Sequence, residues 1–265
     1  MKKTYIGLTC LLLLALALFV ALSFYGDSLE RWHIKTGSFA RVLIGDTTHR
    51  RRTPSSATDS TRAVSQAPGQ DFSQTVDTAR KSILFIGDSM LEGLGPRLAA
   101  YAEENGHTLV NVIWYSSTTE VWGRTEKLKE YIAEYQPDYI FVSLGGNELF
   151  VSNIRDRRQK YLDNMLSQIG DIPFVWIGPP NWKPDTGINE MLAETLRPGQ
   201  FYLSYTPDQH YDRARDGAHP TRASASAWMD RVCAWVMKSA AHRIVLHRPK
   251  AARATCHTVV LAPAK

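Results

Sequence analysis

Between Ser82 and Gly106 the chain changes character three times within a few residues, and that succession leaves little choice of fold. Ile83-Leu84-Phe85-Ile86 is apolar at every position instead of alternating, the pattern of a strand covered on both faces. Gly87 then permits a sharp turn through Asp88 and Ser89. Leu91, Leu94, Leu98 and Tyr101 return at helical spacing as far as Gly106, which suits a helix C-terminus. This order puts Ser89 at the carboxyl end of a strand and in the first turn of a helix. Open α/β sheets bind ligands there, and free backbone N–H groups can stabilise negative charge. The tripeptide alone says little: Gly26-Asp27-Ser28 repeats it without a framing strand or helix and is read as incidental.

Downstream the alternation continues. Leu109 to Trp114, Tyr139 to Leu144, Phe174 to Ile177 and Phe201 to Leu203 read as strands. Helices are predicted from near Trp122 to Tyr135, Asp156 to Ile169, Ile188 to Leu196 and Thr221 to about Ala241. Strands alternating with helices predict a mainly parallel sheet covered on both faces, a three-layer α/β/α sandwich over residues 79–241. With 44% hydrophobic and 22% charged residues the chain has the material for one such core.

The flanks differ in composition. Tyr5 to Phe24 carries no charge and follows Lys2 and Lys3, so residues 1–25 are expected to form a transmembrane helix with its N-terminus inside. A cleaved signal ending near Ala21-Leu-Ser23 is the rival reading. Residues 26–78 are expected to be a membrane-proximal segment and, from Thr47, a flexible Ser/Thr/Pro-rich linker. Residues 242–265 form a basic tail whose apolar patch, Thr258 to Leu261, can add an edge strand or lie loose. An exported location would allow Cys233 and Cys256 to pair, but Cys233 falls on the apolar side of the last predicted helix with Trp228 and Val232, so the plainer reading is a buried thiol and a tail thiol. The net charge of +5 comes partly from these flanks, and no basic face interleaved with aromatics appears, so nucleic acid is not an expected partner.

A serine hydroxyl needs a base in hydrogen-bond reach, itself oriented by a third group. Asp216-Gly-Ala-His219-Pro220 offers both in one loop just before the last helix; equally, Asp216 can cap a turn with His219 packed beside Pro220. Ser143-Leu-Gly145-Gly146-Asn147-Glu148 follows a buried strand. Its glycines let backbone approach a ligand, and the Asn147 amide can donate to an oxyanion; a glycine-rich turn is the plainer alternative. Asp208, His210, Asp212, Asp216 and His219 are dense but match no common metal-ligand spacing. Gly93-x-Gly95 lacks the third glycine of a dinucleotide site. Neither a metal nor any other cofactor is expected.

The set of motifs, a strand then Gly87-Asp88-Ser89, the Gly145-Gly146-Asn147 loop and a late Asp216-x-x-His219, resembles the SGNH/GDSL hydrolase and acyltransferase superfamily over roughly Ile83 to Trp235. The resemblance implies a flavodoxin-like α/β/α domain with Ser89 as nucleophile, His219 as general base and Asp216 as its orienting partner. It implies an oxyanion hole from the Ser89 N–H, the Asn147 side chain and a backbone N–H after the second strand. The chain departs from the family there: Tyr115-Ser116-Ser117-Thr118 stands where a Gly is usual, and Ser117 is assigned its place. Glu148 stands where Asp is commoner. Asp88, Gly146 and Trp182 are placed on the substrate side, and Trp114 and Trp122 are candidates to stack on sugar rings.

The expected function is a membrane-anchored, extracytoplasmic serine esterase or O-acyltransferase. It would act on acyl esters, most simply acetyl, of a cell-surface polysaccharide or glycan, with a multispanning acyl-donor protein as a possible partner. In a cell with an inner membrane the domain would lie in the periplasm. The alternative is a catalytically inactive carbohydrate-binding or scaffold protein of the same fold.

Overall fold

The computed structural model describes residues 75–263. The expected anchor and almost all of the linker lie outside the described residues; among those described, no helix is long and apolar enough to cross a membrane. The first strand, β1 (Ser82–Gly87), leads into α1 (Leu91–Glu104). There follow β2 (Thr108–Trp114), α2 (Thr119–Gly123), α3 (Lys127–Tyr135), β3 (Tyr139–Ser143) and α4 (Ile154–Ile169). The chain continues through β4 (Phe174–Ile177), α5 (Ile188–Thr195), β5 (Phe201–Tyr202), α6 (Arg222–Ser239) and β6 (His257–Leu261).

All pairings are parallel, and the order across the sheet is β5-β4-β3-β1-β2-β6. Without β6 this is the 2-1-3-4-5 order of flavodoxin-like sheets, whose strand order reverses between β1 and β3. β1 is central and wholly apolar because it serves two layers. Ile83 and Phe85 pack with Leu94 and Leu98 of α1 and Trp228 and Val232 of α6. Leu84 and Ile86 pack on the opposite face with Trp122, Leu128 and Leu162. A parallel strand covered on both faces has no polar side to show.

One expectation needs correction. The helix expected from Trp122 to Tyr135 is broken into α2 and α3. Thr125 places its hydroxyl on the carbonyls of Val121 and Trp122, and its own carbonyl accepts from the Gln168 side chain, so the chain leaves the helix there. Gly123 also sits against the Tyr161 backbone, where a Cβ would lie 2.3 Å from the carbonyl oxygen. The tail, left between edge strand and loose end, contributes β6 beside β2. Just before Ala79, the Asp77 N–H donates to the Arg243 carbonyl at 2.8 Å. Cys233 and Cys256 are both free thiols, Cys233 fully buried, and burial pushes the pKa of both upward.

Candidate active site

Four loops meet at the carboxyl edge of the sheet. Gly87 ends β1 so close to β3 that an added Cβ would lie 2.3 Å from the Ser143 carbonyl oxygen and 2.5 Å from Leu91. Glycine therefore lets the chain turn at the strand end. The turn is held by Leu91 N–H donating to the Asp88 carbonyl and Glu92 N–H donating to that of Ser89. Ser89 is left half-buried at the mouth of a cavity of about 690 Å³ that also receives Ser116, Asp216 and His219.

The loop before α6 brings the other two groups. The Ala214 N–H donates to the His219 carbonyl at 2.8 Å, and Arg213 reaches from this loop to the Ala218 carbonyl and to those of Pro180 and Asn181 after β4. His219 Nε2 then lies 2.7 Å from Ser89 Oγ, and its Nδ1 lies 2.7 Å from Asp216 Oδ2. An ionised carboxylate only accepts, so the proton belongs on Nδ1 and Nε2 is free to accept the serine proton. Asp216 Oδ1 also takes the N–H groups of His219 and Ala218. The His219 and Ala218 N–H groups and the His219 ring hold the Asp216 carboxyl down to about 2, so it stays ionised across the neutral range.

The oxyanion side differs from expectation at Ser117. Its side chain is fully buried, its N–H is used by the Trp114 carbonyl at 3.1 Å, and its hydroxyl accepts from Trp122 Nε1. It is Ser116, at φ 58° and exposed, that borders the cavity. That left-handed backbone is the conformation glycine adopts without strain. Ser117 instead holds Asn147, whose Nδ2 donates to the Ser117 carbonyl at 3.0 Å and to Asp88 Oδ2 at 3.3 Å.

Asp88 is a second correction. It is 2% exposed and lies behind the serine, accepting from the Met90 N–H and the Asn147 amide, so it positions groups and does not touch a ligand. Gly146 is buried too, its carbonyl accepting from Trp182 Nε1 at 2.8 Å. Trp182 opens onto a neighbouring hollow with Lys183, Leu203 and Tyr205, apart from the Ser89 cavity. Trp122 is fully buried and Trp114 packs edge-on against it, so Trp122 has no face for a sugar. His210 and Asp212 pair with each other at the surface. Among the described residues no three His, Cys, Asp or Glu side chains gather as metal ligands.

Burial pushes the Asp88 carboxyl up from 3.8 to about 7, against the Met90 N–H and the nearby His219. A raised carboxyl keeps its proton in the folded chain where the unfolded chain has released it. Stability should therefore fall as pH rises from about 4 to about 7 and level off above, by up to about 4 kcal/mol from this group. Asp88→Asn should flatten that decline. Urea unfolding at intervals from pH 4 to 8 measures it, and equal slopes in both proteins would refute it. Glu148, also pushed up by burial, adds to the decline in both, so the difference isolates Asp88.

No family model matches the sequence, and no curated protein matches it. Solved structures are similar to it in fold. The psychrotrophic esterase EstA from Pseudoalteromonas sp. shares 17% identity over 59% of this chain and 97% of its own, with a TM-score of 0.45. TesA shares 20% over 59% and 98%, with a TM-score of 0.46. A lipolytic protein of the G-D-S-L family from Desulfitobacterium hafniense shares 14% over 57% and 97%, with a TM-score of 0.39.

Proposed function

We propose that this protein is a serine hydrolase of carboxylic esters, working through an acyl-serine intermediate on Ser89. The observation that carries the reading is the unbroken series from Ser89 Oγ to His219 to Asp216, 2.7 Å at each step, at the mouth of an open cavity. As Oγ bonds to the acyl carbon, its proton passes to His219 Nε2, and the imidazolium faces the Asp216 carboxylate. The oxyanion lies nearest the first turn of α1, where among the described residues the Ser89 N–H meets no protein acceptor; Ser116 borders the same space. Asn147 adds its donor by exchanging the long bond to Asp88. Collapse expels the alcohol with the proton from His219. Water, deprotonated by His219, then attacks the acyl-serine and frees Ser89 and a carboxylic acid. A sugar hydroxyl taking the place of water gives a new ester, so hydrolysis and acyl transfer share every step but the last.

The finer parts of the proposal rest on the sequence. The apolar stretch Tyr5 to Phe24 supports a membrane-anchored domain outside the cytoplasm, beside cell-surface glycans. Acetyl is the simplest acyl group such glycans carry, and a multispanning acyl donor is the partner a transferase would need. The test is intact-mass spectrometry of the full chain after brief mixing with an activated acetyl ester. One acetyl adduct on the wild type, absent from Ser89→Ala, is expected. A folded wild type with neither adduct nor turnover would overturn the reading. Faster decay of the adduct with glycan than with water alone would identify a transferase.

A further inference from the structure

The cavity beside Ser89 has an unequal distribution of charge. Of its two carboxylates, Asp216 is engaged by His219, and Glu92 accepts the Tyr115 hydroxyl. Its two guanidinium groups, Arg222 and Arg253, meet no carboxylate among the described residues, and Arg253 makes a single bond of 3.3 Å, to the Glu92 backbone carbonyl.

Arg253 is put there by construction. It lies on the segment between α6 and β6, which runs back along α1 and is fastened to it repeatedly. Asn105 exchanges two hydrogen bonds with the His247 backbone. The buried Arg97, paired with Asp230 at 2.6 Å, donates to the Ala251 and Ala252 carbonyls. The Ala254 N–H donates to the Pro96 carbonyl at 2.9 Å. Pro96 stands inside α1 and has no N–H, so the Glu92 carbonyl four residues earlier lacks its helical partner and receives Arg253 instead. Arg222, exposed in the first turn of α6 just after the His219 loop, faces the same space.

We propose that Arg222 and Arg253 form an anion clamp, and that the natural ester is carried on an acidic molecule, with a carboxylate or phosphate near the acyl group. This rests on the ester-hydrolase reading and narrows its substrate class. Guanidinium groups suit such oxyanions because their N–H donors match two oxygens at once.

The experiment compares kcat/KM of the full chain, at fixed ionic strength, on three O-acetylated probes: an oligogalacturonate, a glucose phosphate and a neutral cello-oligosaccharide. The wild type should favour at least one acidic probe over the neutral one by about tenfold or more. The larger of the two acidic preferences tells carboxylate from phosphate. The Arg222→Gln/Arg253→Gln double variant should lose most of that ratio, chiefly through KM, whereas Arg157→Gln/Lys160→Gln, at two exposed positions of α4, removes the same two charges and should keep it. No preference in the wild type, or a ratio unchanged in the double variant, overturns the clamp.

Binding of the non-acetylated oligogalacturonate and glucose phosphate to the Ser89→Ala protein reads the clamp without turnover. A tenfold weakening when both arginines are replaced supports it even if no ester is cleaved. Ester cleavage that needs Ser89, without any such weakening, refutes the clamp alone.

Discussion

Ser89→Ala is expected to lower kcat/KM for ester hydrolysis by about four to six orders of magnitude, and His219→Ala by a similar factor. The double variant should be scarcely worse than either single one. Oγ and Nε2 act as one unit: an imidazole with no hydroxyl 2.7 Å away has nothing to deprotonate, and the hydroxyl without it is a poor nucleophile. Asp216→Asn probes the third member differently. An amide nitrogen facing Nδ1 donates where the carboxylate accepted, favouring the tautomer with its proton on Nε2, so a loss of about 10⁴ is expected with little change in KM. Because the wild-type carboxyl is held down to about 2, its stabilising contribution is present above the ordinary 3.8 and is lost only as pH falls toward 2. Protonation of Asp216 therefore does not limit the rate between pH 5 and 9. Steady-state kinetics on a soluble acetyl ester measures all four variants, and Ser89→Ala activity within a hundredfold of wild type would sink the covalent mechanism.

What could be read from the chain follows from how local each cause is. The Ile83 to Ile86 run has one economical explanation, a strand buried on both faces, and β1 is that strand with its side chains divided between two core layers. β4 falls where its apolar run does, Phe174–Ile177. Ser116 and Ser117 were not separable, because neighbouring residues of the same chemistry differ only in backbone conformation, and a left-handed φ at Ser116 turns Ser117 into the core. Trp122 invited a sugar-stacking role because an indole carries both an apolar face and a donor; packing took the face and Ser117 the donor. The break after Gly123 depends on Thr125 meeting Gln168 across 43 positions, which no periodicity reports. Arg253 had no local signal at all, since its place beside Ser89 depends on Pro96, Arg97 and Asn105 a long way back in the chain.

Glu148→Ala should cost about 3–5 kcal/mol of stability, the largest structural loss expected from a single change near the site. By sequence this residue is a longer stand-in for aspartate. In the structure that length lets a fully buried carboxylate reach two helices. One oxygen accepts from the Thr119 N–H at 3.0 Å, and the other from the Thr119 hydroxyl at 2.7 Å and Arg158 Nε at 2.8 Å. Arg158 also meets Glu120 at 2.7 Å, so the loop behind Asn147 is tied through Glu148 to the first turn of α2 and to α4. Truncation leaves the buried donors of Thr119 unmet, and each such group costs about 1–3 kcal/mol on its own. Arg158 keeps Glu120 and does not become an isolated charge, which holds the loss within the stated range. Urea unfolding at pH 7 measures it; a loss below about 1 kcal/mol would mean that water enters and satisfies Thr119. The same variant should lose kcat more than KM, since Asn147 is the next residue and its donor is useful only while held in place. If stability falls as expected and kcat does not, Asn147 contributes little to the oxyanion, and the N–H groups at Ser89 and Ser116 are left to stabilise it.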